Sequence, residues 1–277
     1  MKKLLGLLAL LVVSVVLVAC GGNNDSNTVR IGVVGHFQDQ WYVVKDALAD
    51  EDIEIELVFF NEWTIPNTAL NDGDVDLNAF QTTIFLQNAI NSNGYELAVV
   101  GNTFVSPQNV FNGRANIPAD YTRTSLIGYV EDGFTVGIPQ DAVNGGRALK
   151  VLEAAGLITV NPEVGFLGTI EDIVEFHVDI QITQVDATVL PSLLPDFDIA
   201  VINNPQAMIS GLSARNQSIF REDSLNIDIS TGLINVIASR EGEETNPVFL
   251  RILEVYQTEA VKAVFRENFD GAFIPAW

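Results

Sequence analysis

The sequence of 277 residues predicts an α/β fold with two lobes. Short apolar runs alternate along the chain with stretches of helical spacing, which is typical of parallel strands with helices on both faces of a sheet. Two polar stretches, residues 106–133 and 210–231, interrupt this alternation, and a strand-like run follows each of them. We therefore interpret both stretches as crossings between two lobes, and we expect a binding site in the cleft beyond the carboxyl ends of the strands.

The N-terminus predicts export. Two lysines precede an apolar run at residues 4–19, which is shorter than the roughly 20 residues of a membrane-spanning helix. The run ends in the residues LVAC, which resemble the lipobox of bacterial lipoproteins, where the cysteine thiol receives a diacylglycerol. We expect residues 1–19 to be a signal peptide, Cys20 to be lipidated, and residues 20–28 to be a flexible tether. The alternative is an ordinary signal peptide with a chance cysteine.

The first lobe is predicted to comprise residues 29–110 and 231–277. Apolar or alternating runs predict its strands at residues 29–35, 53–60, 74–80, 95–105 and 233–240. Helical spacing predicts helices at residues 39–49, 66–70 and 83–90, and two more that begin at Asn246-Pro247 and at Thr258. Pro66 suits a first helical turn, and Gly94 suits a helix end.

The second lobe is predicted to comprise residues 111–230. Its strands are expected at residues 134–139, 176–182 and 198–203. One helix is expected to run from Asn144 as its N-cap to Gly156 just past its end, and another is expected at residues 187–194. The two crossing stretches are expected to be irregular.

Composition argues against several classes of function. The chain has 36 acidic and 14 basic residues, and such a surface repels phosphate backbones, so we expect no nucleic-acid partner. Two histidines and one cysteine make no zinc cluster, and neither a nucleophile elbow nor a P-loop occurs. Asp72, Asp74 and Asp76 imitate a calcium loop that lacks its glycine and its glutamate. We therefore expect a monomeric protein that is not an enzyme and that holds no cofactor or metal.

Six segments occur in the order known from one protein family. They are FNEWTIPN (60–67), NAFQTTIFL (78–86), VGNTFVSP (100–107), NGGRALKVLEAAGLI (144–158), AVIN (200–203) and GAFIPAW (271–277). With the lipobox, they resemble the methionine-binding lipoproteins of the NlpA/MetQ type, the solute receptors of methionine ABC importers. The resemblance implies a type II periplasmic-binding-protein fold with a two-segment hinge. It also implies lipid anchoring outside the cytoplasm and delivery of an amino acid to an ABC permease driven by a cytoplasmic ATPase.

Arg147 is the candidate for binding a ligand carboxylate. If Asn144 caps the helix, Arg147 lies at the third helical position, where a cation opposes the helix dipole. Free N–H groups at Gly145 and Gly146 would lie beside it, and an anion held by all three residues would resolve the conflict. In the family that the chain resembles, the matching arginine holds the ligand carboxylate. The alternative is a surface arginine that pairs with a carboxylate of this acidic chain.

The resemblance also implies polar and apolar contacts to the ligand. Asn203 and Asn235 match positions that bond the ligand's backbone groups, and an asparagine in an apolar strand such as that of Asn235 needs a partner. Asn203 fits a strand-end cap equally well. The further candidates are an aromatic slot for a thioether side chain and one position near the pocket, namely Trp63, Phe80, Phe85 and Asn102. The alternative for the three rings is an ordinary core.

Thr82 departs from the family, which often has a histidine there, and Trp63 stands where a tyrosine is commoner. The change enlarges one corner of the pocket and removes a donor, so a methionine-containing dipeptide or another apolar amino acid remains an alternative ligand. A surface lipoprotein for adhesion or signalling with a vestigial cleft is an alternative from another class, and a lipid-anchored enzyme on the same fold is a third. The retained Arg147, Asn203 and Asn235 favour the receptor.

Overall fold

The computed structural model describes residues 27–222, 232–269 and 272–277. The predicted signal peptide and the lipidation site Cys20 lie outside the described residues, as does most of the predicted tether. Within them, we find no helix that combines the length and the apolar character needed to cross a membrane.

Strands and helices alternate along most of the described chain. The strands are β1 (Asn27–Val34), β2 (Ile53–Phe60), β3 (Leu77–Thr82), β4 (Leu97–Val105), β5 (Gln108–Asn112), β6 (Thr135–Pro139), β7 (Ile158–Val160), β8 (Ile173–Phe176), β9 (Gln181–Val185), β10 (Ile199–Asn203), β11 (Ser218–Arg221), β12 (Ile234–Arg240) and β13 (Ile274–Pro275). The α-helices are α1 (Asp39–Leu48), α2 (Ile65–Asn71), α3 (Thr83–Asn93), α4 (Ala142–Ala154), α5 (Asn204–Ile209), α6 (Ala214–Gln217), α7 (Pro247–Tyr256) and α8 (Glu259–Asn268).

The first sheet has six strands in the order β13-β4-β12-β3-β1-β2. β1 lies parallel between β2 and β3, as the alternation of strands and helices predicts. β12 is antiparallel to both β3 and β4, so the sheet is mixed rather than parallel. The reason is that β12 enters at the end where β4 leaves the sheet, and Ile234 pairs with Val105 there.

The second sheet has five strands in the order β11-β5-β10-β6-β9. β6 is parallel to β9 and β10, whereas β5 is antiparallel to β10 and β11. β5, β11 and α6 lie in the two stretches that were expected to be irregular, and that expectation is wrong for them. Because β5 already belongs to the second sheet, the chain changes sheets between Val105 and Gln108 rather than at residue 110.

Three further expectations fail locally. The strand expected at residues 176–182 is split into two strands, β8 and β9. β8 pairs with β7 in a separate two-stranded sheet. The helix expected at residues 187–194 is a series of turns, because Pro191 and Pro195 lack the N–H groups that a helix needs. The strand expected at residues 74–80 begins later, at Leu77, since Asp76 ends the preceding turn and accepts hydrogen bonds from Arg30.

Each sheet has its own apolar core. In the first sheet's core, Trp41, Tyr256 and Phe265 are fully buried between α1, α7 and α8. The ring centroids of Trp41 and Tyr256 lie 4.9 Å apart. Burial raises the pKa of the Tyr256 hydroxyl well above its ordinary range. A second cluster lies beneath α4 and contains Val136, Leu149 and Ile199. The cores of the two sheets are separate, which leaves the space between the sheets for a site.

Candidate functional site

The candidate site is a cleft between the two sheets, lined by residues from both. β1, β3 and β10 all end at its wall, which is where ligands bind in open α/β sheets. The predicted site residues that line the cleft are Trp63, Phe80, Thr82, Phe85, Arg147, Asn203 and Asn235. Three others, Asn102, Gly145 and Gly146, are not among its lining residues.

The first turn of α4 differs from the prediction. Asp141, not Asn144, is the N-cap: its Oδ1 accepts a hydrogen bond of 2.9 Å from the Asn144 N–H. Arg147 is therefore at the sixth helical position, and the Gly145 N–H donates to the Asp141 carbonyl at 2.8 Å. The expected anion site at the helix N-terminus is wrong, because the Asp141 carboxylate both caps the helix and matches its dipole.

The two glycines of α4 serve helix packing. A Cβ atom on Gly145 would lie 2.7 Å from the Pro139 carbonyl oxygen, and one on Gly146 would overlap the Phe166 carbonyl. The absence of side chains thus lets α4 approach the end of β6 and a neighbouring loop closely. The close approach that was expected for a ligand is used by the protein's own backbone.

Arg147 is buried, with 3 % of its surface exposed, so the alternative of a surface arginine is wrong. Its Nε donates to Glu222 Oε1 at 2.6 Å, and its Nη2 donates to Glu222 Oε2 and to the Ser106 carbonyl. The Gln108 N–H also donates to Glu222 Oε2, at 2.7 Å. This two-point pairing fixes the plane of the guanidinium and balances its charge.

One edge of the guanidinium is left over. Nη1 of Arg147 makes no hydrogen bond to any residue that the structure describes, and Arg147 lines the cleft. An arginine has five N–H donors, and three of them are used on Glu222 and Ser106. Two donors in a fixed plane thus remain for an acceptor in the cleft.

The two asparagines present polar groups to the same cleft. Asn203 ends β10, and its Nδ2 donates to Asn144 Oδ1 at 2.7 Å, while its own Oδ1 is buried without a partner among the described residues. Asn235 is 5 % exposed, and its side-chain amide makes no hydrogen bond within the described chain. Its carbonyl accepts from the Thr103 hydroxyl, which holds β12 in place.

Aromatic rings form the apolar wall. The centroid of Phe80 lies 6.0 Å from that of Trp63 and 6.0 Å from that of Phe85, in a tilted and an edge-on arrangement. Trp63 Nε1 is buried without a hydrogen-bond partner in the described chain. Thr82, at the corner where the family often has histidine, is the N-cap of α3, and its hydroxyl accepts from the Phe85 N–H at 3.3 Å. That hydroxyl is therefore engaged with the backbone.

Comparison with known proteins identifies the family. Residues 29–277 match the profile of a family described as NlpA lipoprotein. The chain belongs to the NlpA lipoprotein family. The resemblance that the six sequence segments indicated is thereby confirmed.

Known proteins match this NlpA lipoprotein over most or all of its length. The chain is 33 % identical, over 289 residues, to the probable D-methionine-binding lipoprotein MetQ of Pasteurella multocida, covering 100 % of this chain and 99 % of the relative. The substrate-binding protein of a methionine transporter from Streptococcus pneumoniae is 30 % identical, with a TM-score of 0.79 and coverage of 91 % and 96 % of the two chains.

A second solved structure shows a relative with its ligand. The nutrient-binding protein from Burkholderia cenocepacia, solved with methionine bound, is 28 % identical, with a TM-score of 0.79 and coverage of 90 % of this chain and 100 % of that one. The fold of this NlpA lipoprotein is thus that of the substrate-binding proteins, and the predicted type II fold is confirmed.

Three residues of this NlpA lipoprotein's site were missed in the sequence: Ser106 and Gln40 line the cleft, and Glu222 binds Arg147. Glu222 has no local signal, since its partner Arg147 is 75 residues away along the chain. Ser106 lies in the quoted segment VGNTFVSP without standing out from it. Gln40 could have been found from the helical spacing. It lies four residues before Val44 and eight before Leu48, so it falls on the same buried face of α1.

Proposed function

We propose that this protein is an extracytoplasmic, lipid-anchored solute receptor of an ABC importer, and that it binds methionine or a closely related amino acid between its lobes. One observation carries the proposal. Arg147 Nη1, Asn203 Oδ1 and the side-chain amide of Asn235 have no partner among the described residues, and all three residues line the same cleft as the rings of Trp63 and Phe80.

The two polar ends of an amino acid suit these groups. A carboxylate oxygen of the ligand accepts an N–H of Arg147 Nη1 while Glu222 holds the Nε and Nη2 side of the guanidinium. An ammonium group donates to Asn203 Oδ1, and Asn235 bonds whichever backbone group faces it. Buried polar groups without partners are unfavourable, so a vestigial cleft would be expected to lose them.

The side chain of the ligand packs on the aromatic wall. Contacts between a thioether sulfur and an aromatic ring contribute about 0.3–1.5 kcal/mol each. The Thr82 hydroxyl accepts from the Phe85 N–H in capping α3, so one O–H donor is all that it offers to a ligand side chain. The wall therefore favours methionine over polar amino acids, and the names of the relatives support the same choice.

A methionine-containing dipeptide is a second candidate. Trp63 and Phe85 also border a neighbouring groove, whose other walls include Thr68, Asn88 and Tyr95. A ligand longer than one residue has room to extend past the two rings into this groove. Catalysis is no part of the proposal, because the relatives are named as binding proteins.

The remaining parts of the proposal concern location and partners. Lipidation of Cys20 would hold a monomer at the outer face of the cell membrane, where it would pass its ligand to a permease with a cytoplasmic ATPase. The proposal also includes the division into two lobes, one of residues 29–110 with 231–277 and the other of residues 111–230. We move the first boundary from residue 110 to the residues between Val105 and Gln108.

The test is direct binding to a lipid-free protein that begins at residue 21. Calorimetry with L-methionine, D-methionine, glycyl-L-methionine and L-leucine should show saturable binding of at least one methionine compound, and L-leucine should bind more weakly. Mass spectrometry of whatever leaves the protein on denaturation identifies a ligand carried through purification. If none of the methionine compounds binds at millimolar concentration, the proposed ligand class is wrong.

A further inference from the structure

A relay of two glutamines leads from the end of β1 into the cleft. Gln38 Nε2 donates to the carbonyl oxygens of Val34 and Gly35, at 3.1 and 3.3 Å, and Gln40 Nε2 donates to Gln38 Oε1 at 2.9 Å. Both glutamines are more than nine-tenths buried, and both line the cleft. The relay is thus a built part of the site wall.

The relay determines which atom of the Gln40 amide is left without a partner among the described residues. The oxygen and nitrogen of an amide have nearly the same shape, so only the hydrogen-bond network can assign them. Because backbone carbonyls only accept, Gln38 must turn its NH₂ group to Val34 and its oxygen to Gln40. Gln40 then uses its NH₂ group on Gln38, and its Oε1 remains as a buried acceptor without a partner among the described residues.

A buried acceptor without a partner is unfavourable, and an apolar side chain would fill the same position on α1 at no such cost. Gln40 lies on the buried face of α1 with Trp41 and Val44, where helix packing alone asks for an apolar residue. A donor from outside the chain is therefore the natural partner of Gln40 Oε1.

The chemistry of the cleft identifies that donor. The described lining residues include no carboxylate that could receive a ligand cation, and the carbonyl-type side-chain acceptors left without partners among them are Gln40 Oε1, Asn203 Oδ1 and Asn235 Oδ1. The ligand carboxylate, placed at Arg147, can only accept. The ammonium group of an amino acid is the one part of it that must donate, with three N–H groups.

We propose that Gln40 Oε1 accepts a hydrogen bond from the ammonium group of the ligand, so that Gln40, held by Gln38, selects for ligands with a free amino group. This inference rests on the proposed function. It assigns Gln40 as a specificity-determining residue and Gln38 as the positioning residue behind it.

The test compares two ligands and two variants. Gln40→Met keeps the length and volume of the side chain and removes the acceptor, while Gln87→Met makes the same change on the exposed surface of α3, where Gln87 bonds only Asn91. The ligands are L-methionine and 4-(methylsulfanyl)butanoate, which is methionine without its amino group. L-Methionine is measured by direct calorimetry, and the acid is measured by its competition against L-methionine.

Gln40→Met should weaken L-methionine binding by about 10- to 100-fold, the usual effect of losing one hydrogen bond to a charged group. It should change the affinity for the acid less than about twofold, since the acid has no N–H to lose. Gln87→Met should leave both affinities as in the wild type. This pattern would also show that the Gln40 variant is folded, because its site still binds the acid normally.

Two results would overturn the inference. An unchanged affinity of Gln40→Met for L-methionine would mean that Gln40 Oε1 does not meet the ligand. An equal loss for both ligands, or the loss of all binding, would make Gln40 a structural residue. Failure of the wild type to bind L-methionine is a different outcome, because it refutes the proposed function from which this inference starts.

Discussion

Glu222 Oε1 lies 2.6 Å from Nε of Arg147, although the two residues are 75 apart along the chain and both are almost fully buried. Ser106 and Gln108, on the first crossing between the sheets, bond the same pair, and Glu222 directly follows β11. The proposed carboxylate site and the connections between the two sheets are therefore one hydrogen-bonded unit. The residue that we propose to bind the ligand carboxylate is thus hydrogen-bonded to the segment where the chain passes between the sheets.

Arg147→Ala should weaken L-methionine binding by about 2–5 kcal/mol, the usual loss when one partner of a buried charge pair is removed. Arg147→Lys should lose much of the same energy, since an ammonium group cannot bond Glu222 and a ligand in one plane. Calorimetry measures both effects. A loss below about 1 kcal/mol for Arg147→Ala would show that the ligand carboxylate binds elsewhere.

Glu222→Gln should lower the free energy of unfolding by about 3–5 kcal/mol, because it leaves the buried Arg147 guanidinium without a counter-charge. The matched control is Glu254→Gln, which disrupts an exposed pair with Arg251 and should cost less than about 1 kcal/mol. Urea unfolding without ligand measures both. Equal effects of the two substitutions would contradict the importance of the buried pair.

Thr82→Val should lower the free energy of unfolding by about 0.5–2 kcal/mol, because it removes the oxygen that caps α3 and keeps the shape of the side chain. Thr82→Ser keeps a capping hydroxyl and should cost much less. The affinity for L-methionine should change little in either variant, since a thioether sulfur is only a weak acceptor for the one O–H donor that the cap leaves on Thr82. A large loss of affinity in Thr82→Val alone would mean that this hydroxyl bonds the ligand instead.

Cys20→Ala should release the protein from the membrane fraction, because the two acyl chains of a lipidated cysteine are needed for stable anchoring. Fractionation of cells that express the wild type or the variant checks this prediction. A variant that stays with the membrane after a high-salt wash would show that something other than the lipid anchors the chain.

Local patterns in the sequence predicted much of the first lobe correctly. The apolar runs that became β1 and β2, the helical spacing of α1, and Pro66 and Gly94 at the ends of α2 and α3 depend only on neighbouring residues. The second lobe was predicted less well, because short strands such as β5 and β11 have no clear periodicity of their own. They form strands because they pair with each other across the sheet.

The sequence by itself determined the family, the α/β class and the residues that the family places at its site, because these depend on residue types in a fixed order. Only the tertiary structure decided how those residues are used. In the structure, Asp141 is the N-cap of α4, Gly145 allows close helix packing, and Glu222 forms an ion pair with Arg147. The tertiary structure also leaves the buried oxygen of Gln40, a residue of the cleft wall, without a partner among the described residues. Each of these outcomes depends on groups that are distant along the chain or on a network of hydrogen bonds. The spacing of neighbouring residues in the sequence shows neither of these.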